Sequence, residues 1–238
     1  MLLFPWLVHL FTATGALCAF LSLTAGIDGR LREAFLWLVL STVIDAVDGA
    51  LARLARVKER TPHFNGNRLD DIVDYLTFVF VPAVLLVRNG MLPEGLLGLS
   101  VVAGILLSSA IAFCREDAKT DDHFFTGFPS YWNIVVLYLA ALAWGPAANA
   151  AVLATFVVLV FVRIGYIYPS RTPQFRLLTV TLGIVWGIAI VAMIWLLPAP
   201  PPWLVYGSLT YPVYYGALSL YLHRHRRKNP QISPISQI

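Results

Sequence analysis

Four aspartates in this chain lie within or at the edge of apolar segments, where acidic side chains are rare. Asp45 and Asp48 stand near the end of one segment, and Asp70 and Asp74 stand at the start of the next. Because their spacings are i, i+3 and i, i+4, each pair lies on one face of its helix. An ionised carboxylate at such a position costs about 3 kcal/mol or more unless it is paired, hydrated or bound to a metal. The four residues therefore predict a functional site.

Carboxylates in this arrangement are suited to binding hard divalent cations. A short basic loop joins the two segments, so the helices run antiparallel and both pairs reach the same depth. Oxygen ligands with few histidines or thiols nearby favour Mg²⁺ or Mn²⁺ over zinc or copper. A pair of such ions could bind a diphosphate and hold both the attacked phosphorus and the leaving oxygen. Gly49 leaves room beside the first pair, and Arg53, one turn further on, could contact phosphate.

A structural ion network at the membrane edge is the alternative interpretation. Arg53, Arg56 and Arg68 are near the aspartates in the sequence and could pair with them, since charge networks at helix ends are common. Asp71 stands one position off the face that the second pair shares. We expect it to be solvated or paired with an arginine.

The elements that carry these aspartates belong to a very apolar chain. Of its 238 residues, 58% are hydrophobic and 13% are charged, and the mean hydropathy is +0.73. These values exclude a soluble globular enzyme. Cys18 and Cys114 both lie in apolar runs, which excludes a disulfide-stapled secreted module. The net charge of +4 indicates basic cytoplasmic loops rather than binding of nucleic acid.

Apolar segments of near-membrane length predict an all-α polytopic bundle of about eight transmembrane helices. A bilayer core of about 30 Å needs roughly 20 helical residues. The predicted spans are 6–25, 31–54, 68–88, 94–114, 130–145, 147–168, 175–197 and 202–222. The pair 130–145 and 147–168 could instead be one broken hairpin. Residues 1–222 are predicted to form a single transmembrane domain, and 223–238 a basic, polar and disordered cytoplasmic tail.

Basic residues lie mostly on one side of this topology. With eight spans both termini share a side, which holds fourteen of the seventeen lysines and arginines; Arg30, Arg32 and Arg88 are on the other. This asymmetry places both termini in the cytoplasm, together with the loops after spans two, four and six. The four aspartates are then expected near the cytoplasmic face.

The aspartates also belong to a longer pattern of fixed residues. It reads Asp45-x-x-Asp48-Gly49-x-x-Ala52-Arg53, then a twelve-residue spacer, then Gly66-x-x-x-Asp70-x-x-x-Asp74. All eight fixed positions match the signature of the CDP-alcohol phosphotransferase family, which this stretch closely resembles. The spacer is longer than in most members and is similar to that of the bacterial phosphatidylcholine synthase branch. The segments FFTGFPSYWN (124–133) and YPSRT (168–172) resemble that branch too.

The resemblance implies an activity and a role for each matched residue. In that branch the hydroxyl of choline attacks the lipid-linked phosphorus of CDP-diacylglycerol, giving phosphatidylcholine and CMP in the bacterial inner membrane. The matched metal ligands, for two Mn²⁺ or Mg²⁺ ions, are Asp45, Asp48, Asp70 and Asp74, and Asp74 also matches the proposed general base. The matched CDP-binding positions are Asp48, Gly49, Ala52, Arg53 and Gly66. The family also implies a homodimer.

Aromatic and basic residues supply candidates for the other substrate contacts. Choline is a cation without an N–H donor, so aromatic faces and a nearby carboxylate are expected to hold it. Tyr131 and Trp132, with Tyr75 behind them, are the choline candidates, although interfacial belts also use tyrosine and tryptophan. Arg115 and Arg171 are candidates for the lipid phosphate, with snorkelling to the interface as the alternative.

Two other functions compete with this prediction. The same chemistry could use serine, inositol or glycerol phosphate, although a phosphorylated acceptor would need additional basic residues in the pocket. A divalent-cation or proton transporter would need a path of carboxylates across the membrane. Beyond Asp74 the interiors of the predicted spans carry no acidic residue, and a one-sided site favours the enzyme.

Overall fold

A computed structural model describes residues 3–115, 117, 124–169, 172 and 175–228, and most of this part is helical. The helices are α1 (Leu3–Ile27), α2 (Leu31–Leu54), α3 (Val57–Arg60), α4 (Gly66–Asp74), α5 (Val81–Arg88), α6 (Leu96–Phe113), α7 (Trp132–Leu142), α8 (Pro146–Phe161), α9 (Arg176–Trp195), α10 (Pro202–Ser208) and α11 (Thr210–Lys228). A π-helical segment, Tyr75–Phe80, joins α4 to α5. Two short strands, β1 (Phe124–Thr126) and β2 (Gly165–Ile167), complete the described part.

Four of these helices are long and apolar enough to cross a membrane, namely α1, α2, α6 and α9. The outer surface of the bundle is apolar, with Leu96 85% exposed and Leu177 83% exposed, as expected where lipid replaces water. The predicted spans 130–145 and 147–168 correspond to the shorter helices α7 and α8. With 11 residues, α7 rises only about 16 Å. The described part of the chain is thus mostly helical with four candidate membrane spans, and the count of eight spans stays a prediction.

The described part is mostly helical, as predicted, but it also holds a small two-stranded sheet, and the helix in the predicted span 147–168 ends at Phe161. After α8 the chain forms β2, which pairs antiparallel with β1 so that Phe125 faces Tyr166. Side chains of α11 bind the backbone of β2: Nδ1 of His223 accepts from the N–H of Gly165, and Oγ of Ser219 accepts from that of Ile167. These contacts satisfy strand N–H groups that a sheet of two strands leaves open.

The C-terminal tail also differs from its prediction. α11 continues past Leu222 to Lys228, so the first part of the predicted disordered tail is helical. His223 lies in this part and caps β2, which gives the extension a tertiary contact. Residues 229–238 lie outside the described part of the chain.

A substitution at Gly127, which follows β1, tests the close packing of this small sheet against the end of α8. Its φ is +86°, and a Cβ at this position would stand 2.2 Å from the carbonyl oxygen of Val160. We expect Gly127→Ala to destabilise the protein by about 2 kcal/mol or more, because the left-handed backbone and the close carbonyl both oppose a side chain. Thermal unfolding in detergent measures this, with Gly145→Ala as the control, since no atom lies within 4 Å of its Cβ. Equal unfolding midpoints for the two variants would contradict the contact.

The helix that carries Asp70 and Asp74 changes its winding directly after Asp74. Pro82 stands at the start of α5 and has no N–H to donate to the preceding turn. The π-helical segment takes up this defect, as π turns commonly do beside a proline and near functional sites. At its other end, α4 begins with Asn65, whose side chain accepts a hydrogen bond from the N–H of Arg68 at 3.1 Å. The helical turns that carry Asp70 and Asp74 therefore lie between a capped helix start and the π-helical segment.

Candidate active site

Three of the four aspartates converge in the structure. Asp45 comes from α2, and Asp70 and Asp74 come from α4; one oxygen of each carboxylate lies within 4.8 Å of the others. This convergence is what the predicted antiparallel approach of the two helices would produce. Three like charges at this separation, in half-buried positions, repel one another unless a cation balances them. The donor set consists of hard oxygens and fits Mg²⁺ or Mn²⁺.

Asp48 lies outside this group of three. Its side chain is buried, with 7% of its surface exposed, and its Oδ2 accepts a hydrogen bond from Oγ1 of Thr12 at 2.8 Å. Thr12 belongs to α1, which packs along both α2 and α4. The sequence analysis missed Thr12, because a threonine in an apolar helix carries no signal of its own. A metal-binding role for Asp48 stays a prediction.

The Thr12 hydroxyl is expected to set the direction of the Asp48 carboxylate. Thr12→Val keeps the shape but removes the hydrogen bond, which should cost about 1 kcal/mol of stability. In the reaction that the family resemblance implies, the substitution should raise the KM for CDP-diacylglycerol roughly five- to tenfold. Thr24→Val is a matched control, since Thr24 only donates to a carbonyl of its own helix. Similar KM values for the two variants, or no recovery with Thr12→Ser, would contradict this role.

Two of the predicted CDP-binding residues, Gly49 and Arg53, lie next to each other on α2. Arg53 is exposed, and its guanidinium lies 3.5 Å from where a Cβ on Gly49 would stand. Ala52 packs against the small cluster of Val8, Ala55 and Val57. An open glycine beside an arginine leaves backbone accessible to a phosphorylated ligand.

Gly66 has a packing role that the sequence did not reveal. A Cβ on Gly66 would lie 3.0 Å from Cε1 of His9. Nε2 of His9 is 3.1 Å from Oγ1 of Thr61, and its ring packs against Phe64 at 4.2 Å between centroids. The glycine therefore lets α1 approach the start of α4 closely. Its contact with CDP stays a prediction.

Of the three choline candidates, the structure brings Tyr131 to the carboxylates. Its hydroxyl is close enough to Asp45 and Asp74 to interact with both electrostatically. Tyr75 instead donates its hydroxyl to the carbonyl of Leu106 on α6 at 3.0 Å. Trp132 has no exposed surface and donates its indole N–H to Oγ of Ser109 at 2.8 Å. The contacts of Tyr75 and Trp132 indicate packing, and they do not support choline binding.

The two lipid-phosphate candidates are not brought to the site by any described contact. Arg115 follows α6 and binds both carboxylate oxygens of Asp117, at 2.7 and 2.8 Å. This guanidinium holds the pKa of the Asp117 carboxyl below its ordinary value. Arg171 lies outside the described residues. Phosphate binding by either arginine stays a prediction.

A group of tyrosines that the sequence analysis did not single out lies beside Tyr131. The hydroxyl of Tyr131 interacts electrostatically with those of Tyr168 and Tyr211, and Tyr215 interacts with Tyr131, Tyr211 and Tyr166. The available signal was the spacing of Tyr211 and Tyr215, which at i, i+4 share one face of α11. Because Tyr211 and Tyr215 are far from Tyr131 and the aspartates in the sequence, their proximity to Tyr131 could not be predicted.

Sequence comparison identifies relatives that extend over most of the chain. A Pseudomonas aeruginosa protein named phosphatidylcholine synthase is 40% identical over 197 residues, which are 83% of this chain and 82% of that protein. A protein of the same name from Rhizobium meliloti is 36% identical over 208 residues, covering 87% and 86% of the two chains. One from Legionella pneumophila is 47% identical over 168 residues, covering 70% and 65%.

No protein-family model matches the chain, so the assignment rests on these pairwise relationships. The names of these relatives agree with the branch that the pattern of eight fixed residues resembles. Because the identity extends over most of both chains, this protein belongs to the phosphatidylcholine synthase family.

Proposed function

We propose that the protein transfers the phosphatidyl group of CDP-diacylglycerol to choline and releases CMP. The observation that carries this proposal is the convergence of Asp45, Asp70 and Asp74 within 4.8 Å in a chain of this family. In the reaction the choline oxygen forms a bond to the lipid-linked phosphorus, and the bond to the CMP phosphate oxygen breaks. The leaving oxygen takes the electron pair, and the hydroxyl proton leaves the choline.

Asp74 accepts that proton, because a positioned carboxylate assists attack by a weakly nucleophilic alcohol. Asp45, Asp70 and Asp74 hold Mn²⁺ or Mg²⁺, in a site for two ions that Asp48 completes. When bound, the metal offsets charge on the diphosphate and on departing CMP. Arg53 binds a phosphate oxygen next to Gly49, where the backbone is open.

The proposed placement in the membrane follows from the distribution of charge and from substrate access. We place eight spans in residues 1–222, both termini in the cytoplasm and the carboxylates at the cytoplasmic face of the inner membrane. From there the lipid tails enter sideways from the bilayer, while choline arrives from water. The lipid phosphate is assigned to Arg115 or Arg171. Assembly as a homodimer stays a prediction.

The identity of the acceptor is tested with purified protein in liposomes that contain CDP-diacylglycerol and Mn²⁺. CMP release is followed with choline, serine, inositol or glycerol 3-phosphate as the only acceptor. We expect release with choline alone. CMP release with another alcohol would be consistent with the metal site but would contradict choline as the acceptor. If a folded protein released no CMP with any acceptor, the proposed enzymatic activity would be wrong.

A further inference from the structure

Tyr131, Tyr211 and Tyr215 lie on stretches of the chain that carry no formal charge, although α11 ends in four basic residues beyond Leu222. Residues 124–162, which include β1, α7 and α8, contain no lysine, arginine, aspartate or glutamate, and neither do residues 177–222. Tyr131 nevertheless interacts electrostatically with Asp45 and Asp74, and Tyr211 and Tyr215 interact with Tyr131. A site with carboxylates on one side and aromatic rings from uncharged stretches on the other attracts a cation that has no hydrogen-bond donors.

Tyr131 is held in place by an unusual backbone conformation. Ser130, the residue before it, has a φ of +57°, which is uncommon for a residue with a side chain. Ser130 is 2% exposed, and its hydroxyl has no hydrogen-bond partner among the described residues. Strain and an unsatisfied buried group persist where a structure has a reason to keep them. The left-handed turn at Ser130 directly precedes Tyr131, whose ring meets Phe78 edge-on at 6.0 Å between ring centroids.

Two further tyrosines are fixed against neighbouring elements. Tyr211 stacks on Trp186 at 5.1 Å between centroids, and its hydroxyl lies 2.9 Å from where a Cβ on Gly183 would stand. Tyr215 donates its hydroxyl to the carbonyl of Ile167 at 3.0 Å and stacks on Tyr166 at 6.1 Å. Rings held in this way can offer their faces to a ligand with little loss of conformational freedom.

We propose that Tyr131, Tyr211 and Tyr215 form the aromatic cage that binds the trimethylammonium group of the acceptor alcohol. This proposal rests on the proposed function. In choline the hydroxyl and the ammonium group are separated by only two carbons, so a hydroxyl placed at Asp74 puts the cation next to Tyr131. The cage therefore selects a quaternary ammonium alcohol over acceptors that carry phosphate or a carboxylate.

The test replaces each of the three tyrosines by leucine and by phenylalanine in the full-length protein. Leucine removes the aromatic face, and we expect the KM for choline to rise roughly 10- to 30-fold, the size of a desolvated cation–π contact. Phenylalanine keeps the face and should leave this KM within about threefold. The KM for CDP-diacylglycerol should stay within about twofold in all variants. Tyr206→Leu is the matched control, since Tyr206 is 59% exposed on α10.

A neutral isostere of choline, 3,3-dimethylbutan-1-ol, separates cation binding from packing. We expect the leucine variants to lose activity with choline but to keep most of the wild-type activity with the isostere. An equal loss with both alcohols, or an unchanged KM for choline, would overturn the cage. Absence of phosphatidylcholine synthesis by the wild-type protein would instead overturn the proposed function.

Gly183→Ala provides a test that leaves all three tyrosines in place. The added methyl group would push against the Tyr211 hydroxyl, so we expect a raised KM for choline with normal binding of CDP-diacylglycerol. If a leucine variant does not fold, this variant and the phenylalanine variants still test whether the three tyrosines bind the ammonium group. A wild-type KM for choline in Gly183→Ala, together with an altered KM in every phenylalanine variant, would contradict the cage.

Discussion

Replacing Asp74 by asparagine should lower turnover by at least about 100-fold, the scale of general base catalysis. Asparagine has nearly the same shape as aspartate but cannot accept the proton of the attacking alcohol. Since Asp45 and Asp70 remain, we expect Asp74→Asn to stay folded and to keep binding CDP-diacylglycerol. Single-turnover CMP release, measured together with equilibrium binding of CDP-diacylglycerol, separates the loss of chemistry from the loss of substrate.

The neighbouring aspartate gives a matched control for this substitution. Asp71 is half-buried, like Asp74, but is not part of the converging group. Asp71→Asn should keep more than about a third of the activity, because surface-type charge changes are usually worth well under 1 kcal/mol. Retained turnover in Asp74→Asn, or an equal loss in Asp71→Asn, would remove the assignment of Asp74 as the base.

The second large effect concerns the metal. Asp45→Asn and Asp70→Asn should each weaken binding of Mn²⁺ at least about 10-fold, since even residues that only orient metal ligands produce losses of this size. We expect activity to fall at least about 100-fold at a fixed metal concentration. Electron paramagnetic resonance of Mn²⁺ titrations measures the binding, and CMP release measures the activity.

Thermal unfolding of the same variants distinguishes a metal site from a structural ion network. With a chelator present, removal of one of three converging negative charges should leave the unfolding midpoint unchanged or raise it. With Mn²⁺ present the wild-type protein should gain more stability than the variants, because the metal binds the folded state. A midpoint lowered by either substitution even in chelator would favour the ion network. Glu94→Gln, at an exposed position outside the site, is the control.

Local spacing explains why the centre of the site was predictable from the sequence. The i, i+4 relation of Asp70 and Asp74 places both on one face of α4, whatever the rest of the fold does. A spacer of only twelve residues keeps α4 close to the end of α2, and Asp45 meets Asp70 and Asp74. Thr12 was missed because its hydrogen bond to Asp48 joins helices whose rotation about their axes the sequence does not define.

Long-range packing explains what the sequence left out. Tyr211 and Tyr215 follow the aspartates by more than 130 residues, and only the docking of α11 on β2 and α9 brings them close. The pairing of β1 with β2 was hidden for a similar reason, since two strands of three residues give almost no alternating pattern. Trp132 was predicted together with Tyr131 because the two are neighbours in the sequence, but Tyr131 precedes α7 whereas Trp132 begins it, and Trp132 is buried in the core.

Direct detection of both products tests the central claim. The purified protein in liposomes receives CDP-diacylglycerol, choline with nine deuterium atoms, and Mn²⁺, and mass spectrometry quantifies labelled phosphatidylcholine and CMP. We predict that the two products appear in equal amounts and that a chelator stops the formation of both. The double variant that combines Asp45→Asn and Asp70→Asn should form neither product. Labelled lipid formed without CMP, or equal rates with and without metal, would contradict phosphatidyl transfer at this carboxylate site.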